Sequence, residues 1–261
     1  MDLGIAGKRA LVLGASRGLG RAIATALAAE GAEVVLAARN RERLAGVAAA
    51  INAGKPQRAR EESVDLADEA SVNGLAQRLL GAGGVDILVN NTGGPPTGSI
   101  LQVDAAAWRN WYQAMAIGIF ELTRQLLPPM RDKGWGRVIT VVSSGVEQPI
   151  PNLGQSNAVR ASIVGWSKSL ANEVAANGIT VNCVVPGRIH TERVDEIDAA
   201  NATRQSIDVA AIAVQSRATI PLGRYGKPEE FAAVVAFLAS APAAYVTGSL
   251  VRVDGGLIKS I

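Results

Sequence analysis

In the stretch GQSNAVRAS (154–162), a hydroxyl and a guanidinium, Ser156 and Arg160, stand four residues apart. On a helix that spacing puts both on one face. The pair can donate hydrogen bonds and grip a ribose, but it titrates poorly near neutral pH. An aliphatic hydroxyl is a very weak acid, and a guanidinium keeps its proton at pH 7. Ser143 offers another hydroxyl at the end of the apolar run RVITVVS (137–143), followed by Ser144 and Glu147, the latter expected to face solvent. His190, the chain's single histidine, lies in PGRIHT (186–191) and titrates in the useful range, which makes it a candidate substitute acid. Arg188 beside it either binds an acidic substrate or lines a lid. Cys183, within TVNCVVPG, is expected in the core of a strand and not as a nucleophile.

A second constellation lies near the start. The run RALVLG (9–14) leads directly into GASRGLGRAIATALAAEGA. Gly14, Gly18 and Gly20 allow a tight turn and close backbone approach, with Ser16, Arg17 and Leu19 completing the loop. The helix that follows offers free N–H groups to a pyrophosphate. At the end of the next apolar run, LAARN (36–40) presents Ala38 and then Arg39, where an acid would bind a ribose 2′-hydroxyl. Two cations, Arg17 and Arg39, without an acid suit a 2′-phosphate, so NADP(H) is preferred over NAD(H).

These residues need elements to position them. Apolar runs at 9–14, 33–38, 62–66, 85–91, 137–143, 179–185 and 249–254 alternate with Ala-rich segments at 19–30, 41–53, 69–80, 105–127, 157–177 and 228–240. Such alternation predicts an α/β fold: one doubly wound parallel sheet with right-handed crossovers. In the segment bearing the opening motif, Val159, Ile163, Trp166, Leu170 and Val174 form one apolar stripe. No linker or internal repeat divides 1–261, which reads as one domain. The polar excursion 188–222 is expected to be a substrate lid at the sheet's carboxyl edge.

Composition agrees. Hydrophobic residues make up 48% of the 261 and aromatics only 4%, so small aliphatics must fill the core. The net charge is +3 with basic residues scattered, which argues against nucleic-acid binding. One cysteine excludes an internal disulfide and suits a reducing cytoplasm. The opening MDLGIAGKRA carries no signal-type apolar core and no run approaches membrane-spanning length, so a soluble protein is expected.

The glycine spacing at 14–20, VDL at 64–66, NNTG at 90–93, Ser143, PGRIHT and VTGSLVRVDGG at 246–256 together resemble the short-chain dehydrogenase/reductase family. Within it the chain is most similar to the 3-oxoacyl-carrier-protein reductase branch. The resemblance implies a single-domain Rossmann fold with a seven-stranded sheet flanked by helices on both faces, usually a homotetramer. It also implies that Asp65 and Leu66 hold the adenine and that Asn91, Thr92 and Gly93 line the cofactor groove. Thr92 replaces the family's usual alanine. Pro186 and Gly187 belong to the cofactor loop, and Ile189 and Thr191 contact the nicotinamide carboxamide.

The family's chemistry uses Asn, Ser, Tyr and Lys, and position carries these roles onto Met115, Ser143, Ser156 and Arg160. Only the serine is kept. Arg160 can still anchor the ribose, but the usual proton relay is missing. Two readings follow: an NADP-dependent oxidoreductase acting on a small carbonyl or alcohol, 3-oxoacyl compounds included, with an atypical proton donor; or a catalytically impaired NADP-binding homo-oligomer that senses or scaffolds.

Overall fold

The computed structural model describes residues 1–53 and 58–261. Seven parallel strands form its sheet: β1 (Arg9–Leu13), β2 (Glu33–Ala38), β3 (Ala59–Ser63), β4 (Ile87–Asn90), β5 (Gly136–Val141), β6 (Ile179–Pro186) and β7 (Leu250–Val253). Their order is β3-β2-β1-β4-β5-β6-β7. The direction of winding reverses between β1 and β4, so the loops leaving their carboxyl ends part there and open a crevice.

Helices cover both faces. Alternate residues of β1 point oppositely: Leu11 and Leu13 join one core cluster, Ala10 and Val12 the other. The second cluster packs under α1 (Gly18–Ala29), α2 (Arg41–Asn52) and, through Phe231, α9 (Pro228–Leu238). The first packs under α3 (Glu69–Gly81), α5 (Gly118–Lys133) and α6 (Gly154–Val174), the last placing Val159, Ile163 and Val174 in the core. Cys183 is buried there too, and burial pushes its thiol pKa up. Among the described residues, no helix is long and apolar enough to cross a membrane.

Two elements differ from the sequence expectation. β3 lies at 59–63, not 62–66, and its sequence AREES is charged. As an edge strand it pairs only with β2, so it lacks the apolar signature of its neighbours. The apolar VDL leaves the sheet, freeing Asp65 and Leu66 to line the crevice. The expected helix 105–127 is three pieces: α4 (Ala105–Tyr112), a turn of π-helix (Gln113–Ile117) and α5, which runs through Pro128 and Pro129 to Lys133. The excursion 188–222 holds two helices, α7 (Glu192–Gln205) and α8 (Val209–Ala218), over the crevice mouth.

Candidate active site

One groove of about 1360 Å³ runs along the carboxyl edge of the sheet. Its first wall is the glycine loop. Gly14 and Gly18 adopt φ of +62° and +53°, which glycine alone takes without strain. Gly20 does not line the groove but packs behind it, where a Cβ would collide with the Gly14 carbonyl oxygen. No side chain caps the start of α1, so its first N–H groups remain available to a ligand. This cradle fits a dinucleotide pyrophosphate. Ser16, Arg17, Gly18 and Leu19 line it.

The adenosine end is built from the end of β2. Ala38, Arg39, Asn40 and Arg43 line the groove there, opposite Asp65 and Leu66. Asn40 caps α2 by accepting from the Arg43 N–H at 2.9 Å, which sets Arg43 one turn beyond Arg39. Arg43 is a second cation at this end beside Arg39, and the sequence reading lacks it, although its place three residues after the capping Asn40 marks it as a first-turn residue. Asp65 is occupied locally: its carboxylate accepts from the Ala67 N–H at 3.0 Å.

At the other end, Ser143, Met115, Ser156 and Arg160 line the same groove. The Ser143 hydroxyl oxygen accepts from the Gly145 N–H at 3.1 Å as the chain leaves β5. Gly145 is required there, since a Cβ would collide with Asn157 Oδ1 of α6. Gln155 ties α6 to α4 by donating to the Ala107 carbonyl at 3.0 Å. Between these anchors the first turns of α6 aim Ser156 and Arg160 inward, both buried. Arg160 donates to the carbonyls of Val141 (3.1 Å), Thr92 (3.2 Å) and Gly93 (2.9 Å), bridging the ends of β5 and β4. Burial, and secondly the charge of Arg193, push its pKa down to about 10, so it remains a cation at neutral pH. Met115 sits in the π-turn, almost fully buried. Asn91 donates to the Leu13 carbonyl at 3.2 Å and ties the chain leaving β4 to the end of β1, and Thr92, Gly93, Pro186, Gly187, Ile189 and Thr191 complete the lining.

A family model described as enoyl-(acyl carrier protein) reductase matches residues 14–258. The 3-oxoacyl-(acyl-carrier-protein) reductase FabG of Escherichia coli (strain K12) is 37% identical over 254 residues, covering 96% of this chain and 97% of its own length. A solved structure described as a short chain dehydrogenase/reductase family protein superposes with a TM-score of 0.84 at 33% identity, over 98% of this chain and 99% of that one. The chain is a short-chain dehydrogenase/reductase. L-Sorbose reductase from Gluconobacter frateurii, solved in complex with NADPH and L-sorbose, shares the fold over the full length of both chains, with a TM-score of 0.94 and 34% identity.

Four side chains of this short-chain dehydrogenase/reductase have placements or partners that the sequence did not specify. His190 does not line the groove, although Ile189 before it and Thr191 after it do; its imidazole is 68% exposed, with Nε2 3.6 Å from Asp195. Its placement gives no support to a role as substitute acid. Glu147 does not face solvent but pairs with Arg252, whose Nε donates to it at 3.0 Å. Arg188 is held by Asp198 of α7 at 3.1 Å, with the Tyr225 hydroxyl donating to the same carboxylate at 2.6 Å, so it braces the excursion 188–222 and is already paired. Arg17 lines the groove but reaches across to Glu196 (2.9 Å) and Glu192 (3.3 Å) of α7. No tyrosine is among the lining residues described.

Proposed function

We propose that this dehydrogenase/reductase uses NADP(H), in preference to NAD(H), to interconvert a carbonyl and an alcohol on a small molecule, 3-oxoacyl-type compounds falling within that class. The observation that carries this reading is the single groove joining the glycine cradle and the Arg39–Arg43 pair to Ser143, Ser156 and Arg160. NADPH, when bound, supplies the hydride. Arg39 and Arg43 hold the 2′-phosphate, and Ala38 leaves no carboxylate to repel it. Arg160 anchors the nicotinamide ribose, while the Ser143 and Ser156 hydroxyls orient the substrate oxygen. None of these side chains is a good proton donor near pH 7, and no tyrosine is among the lining residues described, so water is the proposed proton source. The L-sorbose reductase, solved with NADPH and L-sorbose, and the 3-oxoacyl-(acyl-carrier-protein) reductase FabG support the reaction class. We further propose a cytoplasmic homotetramer.

Fluorescence titration tests the cofactor assignment. Each charge-assisted contact is worth about 1.5–3 kcal/mol, so NADPH is expected to bind at least about tenfold more tightly than NADH. Equal constants would remove the assignment. The missing relay is tested by restoration: Met115→Asn, Ser156→Tyr and Arg160→Lys together are expected to raise reduction of simple ketones or oxoesters by about 10²-fold or more. A second reading, a cofactor-binding sensor or scaffold, is favoured by the replacement of three of the four family residues. Binding of NADPH without turnover by either the wild type or the triple variant would select it.

A further inference from the structure

The chemical end of the groove carries positive charge that its carboxylates do not balance. A carbon placed on Gly94 in the Cβ position would lie 3.7 Å from Arg160 Nη2, 3.8 Å from Arg193 Nη2 and 3.9 Å from Ser156 Oγ. Two guanidiniums and a hydroxyl thus converge on one spot, and all four residues line the groove. Arg160 comes from α6 and Arg193 from the first turn of α7, which bends over the site as Arg193 Nη2 donates to the Pro95 carbonyl at 2.8 Å. Like charges brought this close repel, and burial adds to the cost for Arg160.

The carbonyls of Val141, Thr92 and Gly93 accept three of Arg160's five N–H groups without neutralising its charge. Among the described residues no carboxylate lies within ion-pair distance of Arg160. Arg193 has Glu196 at 3.3 Å, but Glu196 lies closer to Arg17, at 2.9 Å. A buried cation without a counter-charge is expensive, and a ligand that brings the missing anion recovers that cost. Guanidiniums are the side chains best shaped to take a planar carboxylate through paired N–H donors.

We propose that Arg160, Arg193 and Ser156 form a carboxylate-binding site, and that the substrate is therefore a small oxo acid or hydroxy acid held by its free carboxylate beside the reacting carbon. This rests on the reductase reading above. It narrows the substrate class: an oxo group on a thioester or ester lacks the charge the site is built to receive. Arg193 closes the site from the lid, so substrate and lid engage together.

Titration calorimetry on the full chain saturated with NADP⁺ tests the assignment without turnover. The probes are 3-oxobutanoate and its methyl ester, which differ in the carboxylate. The wild type is expected to bind the acid at least about tenfold more tightly than the ester. Arg193→Gln, on an exposed lid turn, is expected to fold normally, to keep its NADP⁺ affinity and to lose that preference; Arg193→Lys is expected to recover part of it. Equal affinities for acid and ester in the wild type, or no detectable binding of either, would overturn the proposal. So would an acid preference untouched by Arg193→Gln, or a loss confined to NADP⁺ affinity, which would assign the cluster to the cofactor's own phosphates. Failure of the wild type to bind NADP⁺ would instead remove the reductase reading, and titrating the acid against the protein alone would then decide the carboxylate site independently.

Discussion

Arg160 joins three functions that a lysine in its place would divide differently. Its guanidinium ties the carbonyls of Val141, Thr92 and Gly93 together, lines the cofactor groove and supplies charge to the chemical end. Removing it strands buried carbonyls, each costing about 1–3 kcal/mol, so Arg160→Ala is expected to lower unfolding stability by about 2–4 kcal/mol and to weaken NADPH binding. Ser156→Ala leaves those contacts intact and is expected to change NADPH affinity by less than about twofold, as read by fluorescence titration. An equal loss from both changes would mean that Arg160 acts only through local packing. Elsewhere, a buried carboxylate fixes the frame on which β1 and α5 meet. Asp86 accepts from the Arg9 N–H at 2.9 Å and from Lys133 Nζ at 2.8 Å. Burial opposes its ionisation, but the Lys133 ammonium and the Arg9 N–H outweigh it, leaving its pKa lowered. A carboxyl lowered in the folded state contributes stability above its unfolded pKa, about 3.9, and loses it as pH falls through the folded value. Asp86→Asn is therefore expected to cost about 1–3 kcal/mol at pH 7 and markedly less near pH 3, measured by urea denaturation at both. A penalty constant across that range would show that the charge is not what Asp86 contributes.

Among the elements, the excursion 188–222 carries the least legible part of the site. Strand–helix alternation and the stripe from Val159 to Val174 made the sheet and α6 readable from sequence, because buried strands and amphipathic helices impose periods on the chain. The glycine loop was readable too, since glycine takes the φ of Gly14 and Gly18 at the least cost. Edge strand β3 was displaced because a strand paired on one side keeps charged residues, and α5 ran longer because its two prolines did not end it. What α7 does was hidden. Arg193 lies thirty-three positions beyond Arg160 with no motif joining them, and the acids that meet Arg17 lie on the far side of the sheet in sequence. Arg17 lowers the Glu196 carboxyl below its ordinary range, yet the pairs are half exposed and exposed pairs are worth only about 0.2–1 kcal/mol. They form a latch weak enough for a cofactor phosphate to compete with. Glu192→Gln with Glu196→Gln is expected to free Arg17 and tighten NADPH binding by up to about fivefold, with NADH unchanged. Unchanged NADPH affinity would mean that Arg17 serves the lid alone.

At the scale of the whole molecule, the surface formed by the π-turn, α5 and α6 determines whether one chain suffices. Ile117 is 48% exposed in the π-turn, and Phe120 and Trp166 stack at 4.3 Å across α5 and α6 while remaining only half buried. The other tryptophans contribute less than their number suggests, since Trp111 lines the groove and Trp108 packs near Tyr112, with ring centroids 6.2 Å apart. An apolar face on helices that also carry Ser156 and Arg160 on their inner sides is expected to be a self-complementary contact, because a two-fold axis lets one patch meet itself. Sedimentation at micromolar concentration is expected to give a homo-oligomer, a tetramer by the family resemblance. Placing a charge at the centre of that face, with Ile117→Asp or Trp166→Asp, is expected to shift the chain toward smaller species. The inner faces of these helices position Met115, Ser156 and Arg160, so dissociation is expected to loosen the chemical end of the groove first, weakening substrate binding more than NADPH binding. A stable monomer in the wild type would remove this arrangement and leave the site resting on the fold of one chain alone.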